Sequence, residues 1–99
     1  MLMIVKLHKK DDKILVAACD EELLGQKFEE EGKQIDLSGE LFNGEKMNSE
    51  EAGDLIRNAD VVNLVGEKTI KIGLEEGVIE QEDVVIISGI PTAQSVVEH

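Results

Sequence analysis

Aromatic residues are almost missing from this chain. Phe28 and Phe42 are the only two, with no Trp or Tyr, so the core must be built from aliphatic side chains. Cysteine is equally scarce. Cys19 stands alone, which excludes an internal disulfide and any multi-cysteine metal site. No run of 18 apolar residues occurs, so a membrane span is not expected. The opening Met1-Leu2-Met3-Ile4-Val5 is too short for a signal peptide and meets a charge at Lys6. These absences together point to a cytoplasmic location. Arg57 is the only arginine and Pro91 the only proline.

Positive charge is also in short supply. Twenty-two acids face ten bases, for a net charge of −12. Lys6, Lys9, Lys10 and Lys13 fall in the first thirteen residues, so the remainder is more acidic than the total suggests. A diffuse acidic surface repels phosphate backbones, which argues against generic nucleic-acid binding. The basic N-terminal patch leaves room for one structured RNA or an acidic partner, against the plain reading of a solvated hairpin end. Lys and Glu dominate the charges, a bias of heat-adapted proteins.

What is present, 99 residues with 41% apolar content, fits one domain (1–99) with one core. Leu2 to Leu7 and Ile14 to Ala18 read as strands around the polar stretch 8–13, hence an N-terminal β-hairpin. Asp20 reads as an N-cap, followed by Glu21 and Glu22. Leu24 and Phe28, four apart, then suggest a helix stopped by Gly32, with Glu29, Glu30 and Glu31 at its C-terminal end. Ile35 and Leu37 give a short strand, and Ser38-Gly39 and Asn43-Gly44 mark turns. Asn48 or Ser49 caps the clearest helix, with Ala52, Leu55, Ile56 and Ala59 on one stripe. Val61 to Val65 reads as a strand and Glu67 to Glu76 as a helix with Ile70 and Leu74 inward. Gly73 would let that helix approach the sheet, and Gly77 would end it. Val84 to Ile87 is a continuous apolar run, as in a strand of the sheet interior. Residues 61–87 thus read as a C-terminal βαβ unit with parallel strands. Val96 and Val97 suggest a terminal strand or arm. The expected class is α+β: a single two-layer domain with a mixed sheet.

Candidate chemistry is sparse. Gly66-Glu67-Lys68-Thr69 resembles the end of a phosphate loop, but Glu67 separates glycine from lysine and Val61 stands where the first glycine belongs. The α-amides after Gly66 could hold a small anion, in competition with Glu67; the simpler reading is a capped helix. Cys19 precedes a helix start, which would favour thiolate, yet Asp20, Glu21 and Glu22 oppose it. His8 lies near the hairpin turn, far from Cys19, so the two make no dyad. His8 and His99, the only histidines, give no zinc spacing, and no calcium loop is present. No catalytic set, metal site or cofactor site is expected. Asn63 interrupts an apolar strand and must find hydrogen bonds from a ligand or from neighbouring backbone. Gly89-Ile90-Pro91 sets a rigid turn, after which Thr92 and Gln94 share a face. Asn63, Gly66 and Glu67 with Pro91, Thr92 and Gln94 are the candidate recognition residues. Parallel strands in the βαβ unit would bring them to one sheet edge.

The series Ile4-Val5-Lys6, Ala18-Cys19-Asp20-Glu21-Glu22-Leu23-Leu24-Gly25, Asn63-Leu64-Val65-Gly66-Glu67 and Gly89-Ile90-Pro91-Thr92-Ala93-Gln94 resembles the archaeal family called domain of unknown function 424. The likeness spans nearly the whole chain. It implies a small cytoplasmic archaeal α+β domain with no assigned reaction. The family pattern has histidine in many members where this chain has Thr92, so the resemblance favours recognition over catalysis. Two functional classes follow: a non-catalytic interaction module with a protein partner, as an accessory in information processing would be, or a small-molecule or anion-binding protein or enzyme using the edge near Gly66 and Pro91. A deep pocket joining the two segments would favour the second, a flat surface the first.

Overall fold

The structure is a computed structural model describing residues 2–97. His99 therefore lies outside the described residues. The chain opens with β1 (Leu2–Lys10) and β2 (Lys13–Asp20), an antiparallel hairpin in which Lys10 opposes Lys13. Both turn residues are left-handed, Asp11 at φ 52° and Asp12 at 65°. That is the geometry of a two-residue type I′ turn, whose twist matches that of the strands. The hairpin expected from the sequence is present and longer than its apolar runs.

The helix expected over 20–32 does not form. Glu21–Leu23 makes one 3₁₀ turn, and β3 (Lys27–Glu30) and β4 (Lys33–Asp36) follow as a second hairpin. Its turn is Glu31-Gly32, again left-handed at φ 49° and 82°. Phe28 opposes Ile35 across it. The Leu24–Phe28 spacing suits a helix, yet Phe28, Ile35 and Leu37 reach the core equally well from a two-stranded ribbon. Glu29, Glu30 and Glu31 then sit at a hairpin end and never oppose a helix dipole.

After a 3₁₀ turn at Glu40–Phe42, β5 (Glu45–Asn48) pairs antiparallel with β1. α1 (Ser49–Arg57) starts at a complete capping box: Asn48 Oδ1 accepts from the Glu51 N–H at 2.9 Å, and Glu51 Oε1 accepts from the Asn48 N–H at 3.4 Å. Ala52, Ile56 and Ala59 are buried, and Leu55 packs beside them. β6 (Val61–Val65) lies parallel to β2, and α2 (Glu67–Glu75) follows at once. Gly77 N–H to Leu74 C=O and Val78 N–H to Gly73 C=O close α2 as a Schellman motif. Gly73 has no room for a side chain: a Cβ there would stand 2.5 Å from Leu64 Cδ1. The chain ends with β7 (Val85–Ile87) and β8 (Ile90–Val96), joined by Ser88-Gly89.

The main sheet has the order β5-β1-β2-β6-β8-β7. β8 is antiparallel to both β6 and β7, so β6–α2–β7 is a β-α-β passage with its strands in one direction and β8 inserted between them. This corrects the expectation that Val84 to Ile87 fill the sheet interior. β7 is an edge strand; Val85 and Ile86 are exposed, Ile86 at 55%, and only Ile87 is buried. Pro91 marks the end of the β6–β8 ladder: its ring offers no N–H, the pairing with β6 stops at Thr92, and the Pro91 carbonyl accepts from the Gly66 N–H at 2.8 Å.

Side-chain alternation divides the core in two. Met3, Val5, Val16, Ala18, Val62, Leu64 and Ala93 face α1 and α2. Ile4, Ala17, Cys19, Val65 and Ile87 face the other way, under Ile35, Leu37 and Phe42. Helices thus form one layer, and the small β3–β4 ribbon with the 3₁₀ turn covers part of the opposite face. Leu64→Ala should cost about 2–5 kcal/mol, because it opens a cavity under α2. Ile86→Ala should cost under about 1 kcal/mol, as a largely exposed edge residue does. Urea melts of both variants check the assignment; a reversed order would contradict it.

Candidate functional site

A cleft of about 580 Å³ opens between the β3–β4 ribbon and the main sheet. Ile35, Phe42, Val65 and Ile87 give it an apolar lining. Asn63, Thr92 and Gln94 enter from the sheet, and Lys33, Gln34 and Asp36 from β4. The register explains the first three. Asn63 opposes Gln94 and Val65 opposes Thr92, so all four side chains leave the same face of the β6/β8 pair. The sequence argument joined these residues through parallel strands ending on one edge. The structure joins them through an antiparallel ladder, which brings them closer.

Gly66, Glu67 and Pro91 do not line the cleft. Gly66 and Pro91 meet through the backbone bond above, and Glu67 is exposed at the first residue of α2. The six candidates therefore fall into two groups: Asn63, Thr92 and Gln94 on the cleft, the other three at the strand-to-helix junction. Lys33, Gln34, Asp36 and Phe42 were missed by sequence reasoning. The misread helix over 20–32 hid the first three, since only a ribbon folds back over the sheet.

The cleft's two carboxylates are held by their own loops. Asp36 Oδ1 accepts from the Ser38 N–H at 2.9 Å and from its hydroxyl. The Ser38 hydroxyl and N–H, with Lys27 beyond, hold the Asp36 carboxyl below its ordinary value. Asp83 Oδ2 accepts from the Glu80 N–H at 2.8 Å. A general acid needs a raised carboxyl pKa, which Asp36 does not have. The cleft offers amides, a hydroxyl, a lysine and apolar wall: groups that orient a ligand by hydrogen bonding.

The junction is closed to anions by the chain itself. Asp20, 3% exposed at the end of β2, points into the N-terminus of α2. Its Oδ2 accepts from the Lys68 N–H at 3.1 Å, and its Oδ1 from the Thr69 N–H and hydroxyl, both at 2.8 Å. An internal carboxylate thus takes the place a bound anion would need. Gly66 makes this contact possible. Its φ is 108°, and a Cβ would collide with the Asp20 carboxylate. Cys19, next to Asp20, is fully buried, and desolvation followed by the Asp20 and Glu22 charges pushes its thiol up to about 12. It is a packing residue with no thiolate at neutral pH. Among the described residues no group of three or more His, Cys, Asp or Glu side chains is placed to hold a metal ion. His8 Nε2 lies 3.0 Å from the Leu41 carbonyl, away from Cys19.

The profile described as protein of unknown function DUF424 matches residues 8–97. The chain belongs to this family. No curated protein matches it. Among solved structures, an uncharacterized conserved protein from Methanopyrus kandleri is similar over 100% of this chain and 95% of its own, at 22% identity and a TM-score of 0.84. At that identity the likeness shows the shared fold. No helix among the described residues is long and apolar enough to cross a membrane.

Two outcomes test the junction. Asp20→Ala should lower stability by about 2–4 kcal/mol, since it removes a buried acceptor and strands three donors. Native protein should react with a disulfide-exchange reagent at pH 8 only as fast as it unfolds, because the thiol is buried and protonated there. Immediate reaction without denaturant would contradict the burial of Cys19.

Proposed function

We propose that this DUF424 protein is a non-catalytic recognition module whose binding site is the cleft between the β3–β4 ribbon and the sheet. One observation carries the reading: Asn63, Thr92 and Gln94 emerge on one face, beside an apolar wall. Neutral amides and a hydroxyl on apolar ground are the donors and acceptors that match a polypeptide backbone. The cleft is open to solvent along one side and continues onto the sheet, which suits a protein segment better than an enclosed small molecule. A role in information processing would be consistent with this reading, and the acidic surface favours a protein partner over free nucleic acid.

The alternative, an anion or small-molecule site near Gly66 and Pro91, loses its main support because Asp20 occupies the α2 amides. Asn63→Ala and Gln94→Ala should reduce recovery of the native partner from host extract while shifting the melting temperature by only a few degrees. Unchanged recovery with a clear loss of stability would make the two amides architectural and place recognition elsewhere.

A further inference from the structure

The ribbon covers only part of the sheet face it packs on. Strand register arranges that face in rows, in which Ala17 is fully buried beside Phe42 and His8 meets the Leu41 carbonyl of the 3₁₀ turn. Lys6, Ala17, Asn63 and Gln94 form one row across β1, β2, β6 and β8. The next is His8, Leu15, Val61 and Val96, and Lys10 faces Lys13 at the tip. Leu15 and Val61 are half-buried, and Val96 is 71% exposed. The result is an open apolar strip of Leu15, Val61 and Val96, continuous with the cleft through Asn63 and Gln94, with a rim of lysines along its hairpin side.

The rim is charged and uncompensated. Lys27, Lys46, Arg57 and Lys68 are ion-paired. Among the described residues, Lys6, Lys9, Lys10 and Lys13 have no such partner. Lys6, Lys10 and Lys13 share the face of the apolar strip, whereas Lys9 alternates to the helix side. Asp11 and Asp12 lie in the turn itself, and Asp60 reaches this end of the sheet through space, where its Oδ2 accepts from the Ile14 N–H at 2.8 Å. Physiological salt screens charges beyond about 8 Å, so the distant carboxylates behind the −12 total do not cancel this local field. An RNA partner would want aromatic platforms on such a sheet. Phe28 is half-buried in the ribbon and Phe42 is buried in the cleft wall, so neither is presented on the strip.

We propose that this open half of the sheet docks an acidic, extended protein segment. Its apolar side chains rest on Leu15, Val61 and Val96, its backbone meets the Asn63 and Gln94 amides, and its carboxylates reach Lys6, Lys10 and Lys13. The proposal rests on the recognition reading above and adds the partner's chemistry and a second anchoring region.

The test is an NMR titration of the ¹⁵N-labelled full chain. The probes are three nine-residue peptides that alternate Val with Glu, Lys or Ser, and a nine-nucleotide oligouridine. The Glu peptide should bind most tightly, shift the amides of Leu15, Val61, Asn63 and Gln94, and weaken as salt rises. The triple variant Lys6→Gln, Lys10→Gln, Lys13→Gln should keep its melting temperature and bind that peptide about tenfold more weakly, the loss of three exposed ion pairs. Equal or tighter binding of the Ser or Lys peptide at the same amides would overturn the acidic-partner inference and leave the recognition site standing. Tighter binding of oligouridine would assign the lysine rim to RNA and overturn the proposal. No shift with any probe, or shifts confined to other surfaces, would overturn it as well.

Discussion

The carboxylate of Asp20 ties the two halves of this fold together. It ends β2, and its three hydrogen bonds begin α2, nearly fifty residues later. β2 and β6 are parallel neighbours, so Asp20 emerges beside the point where β6 gives way to the helix. A buried carboxylate needs compensation, and the free amides of a helix N-terminus supply it with both hydrogen bonds and favourable dipole. The geometry demands a residue without a Cβ at position 66, so Asp20 and Gly66 form one structural unit. Cys19 follows from the same fact: a small side chain fits beneath this junction, and burial, with the adjacent Asp20 charge added, keeps its sulfur protonated.

That junction also bears on where the proposed binding site lies. α2 begins at a strand end, where many α/β proteins bind anions. Here the chain fills that place from within. The open chemistry lies on the opposite face of the sheet, reached through the other phase of the strand alternation. Helix-side positions such as Val62, Leu64 and Ala93 are fully committed to packing. Asn63, Thr92 and Gln94 lie between them in sequence, free of that demand, and point to a face that the ribbon covers only in part.

Much of this architecture is legible in the sequence where two signals agree. The β1–β2 hairpin has apolar runs around a polar turn, α1 has both a capping box and a stripe, and α2 has a C-terminal glycine and the small Gly73 where it touches Leu64. Reading fails where a segment satisfies two periodicities. Leu24 and Phe28 lie one helical turn apart, and Asp20 is a good cap, so residues 20–32 look helical. The cap serves a different helix, through space, which no local pattern can report. Val84 to Ile87 fails for another reason. A short apolar run has no phase, so it cannot distinguish an interior strand from an edge strand that buries only Ile87. The pairing of Asn63 with Gln94 was found from the right residues by the wrong topology: both segments follow apolar runs, but an inserted antiparallel strand, not two parallel ends, brings them together.

The split β-α-β passage shapes the proposed site. Had β7 paired directly with β6, Thr92 would still oppose Val85 in the β7–β8 hairpin, but Thr92 and Gln94 would sit on an edge strand away from Asn63 and Val65. Insertion of β8 places them in the ladder, where register fixes their spacing to Asn63 and Val65 and alternation fixes their direction. Polar groups on a regular strand are held more firmly than on a loop. Pro91 sets the limit of this ordering on the β6 side: it cannot donate, and the β6–β8 ladder ends at Thr92, the residue after it. The site therefore owes its polar groups to side-chain parity and its boundary to one missing N–H.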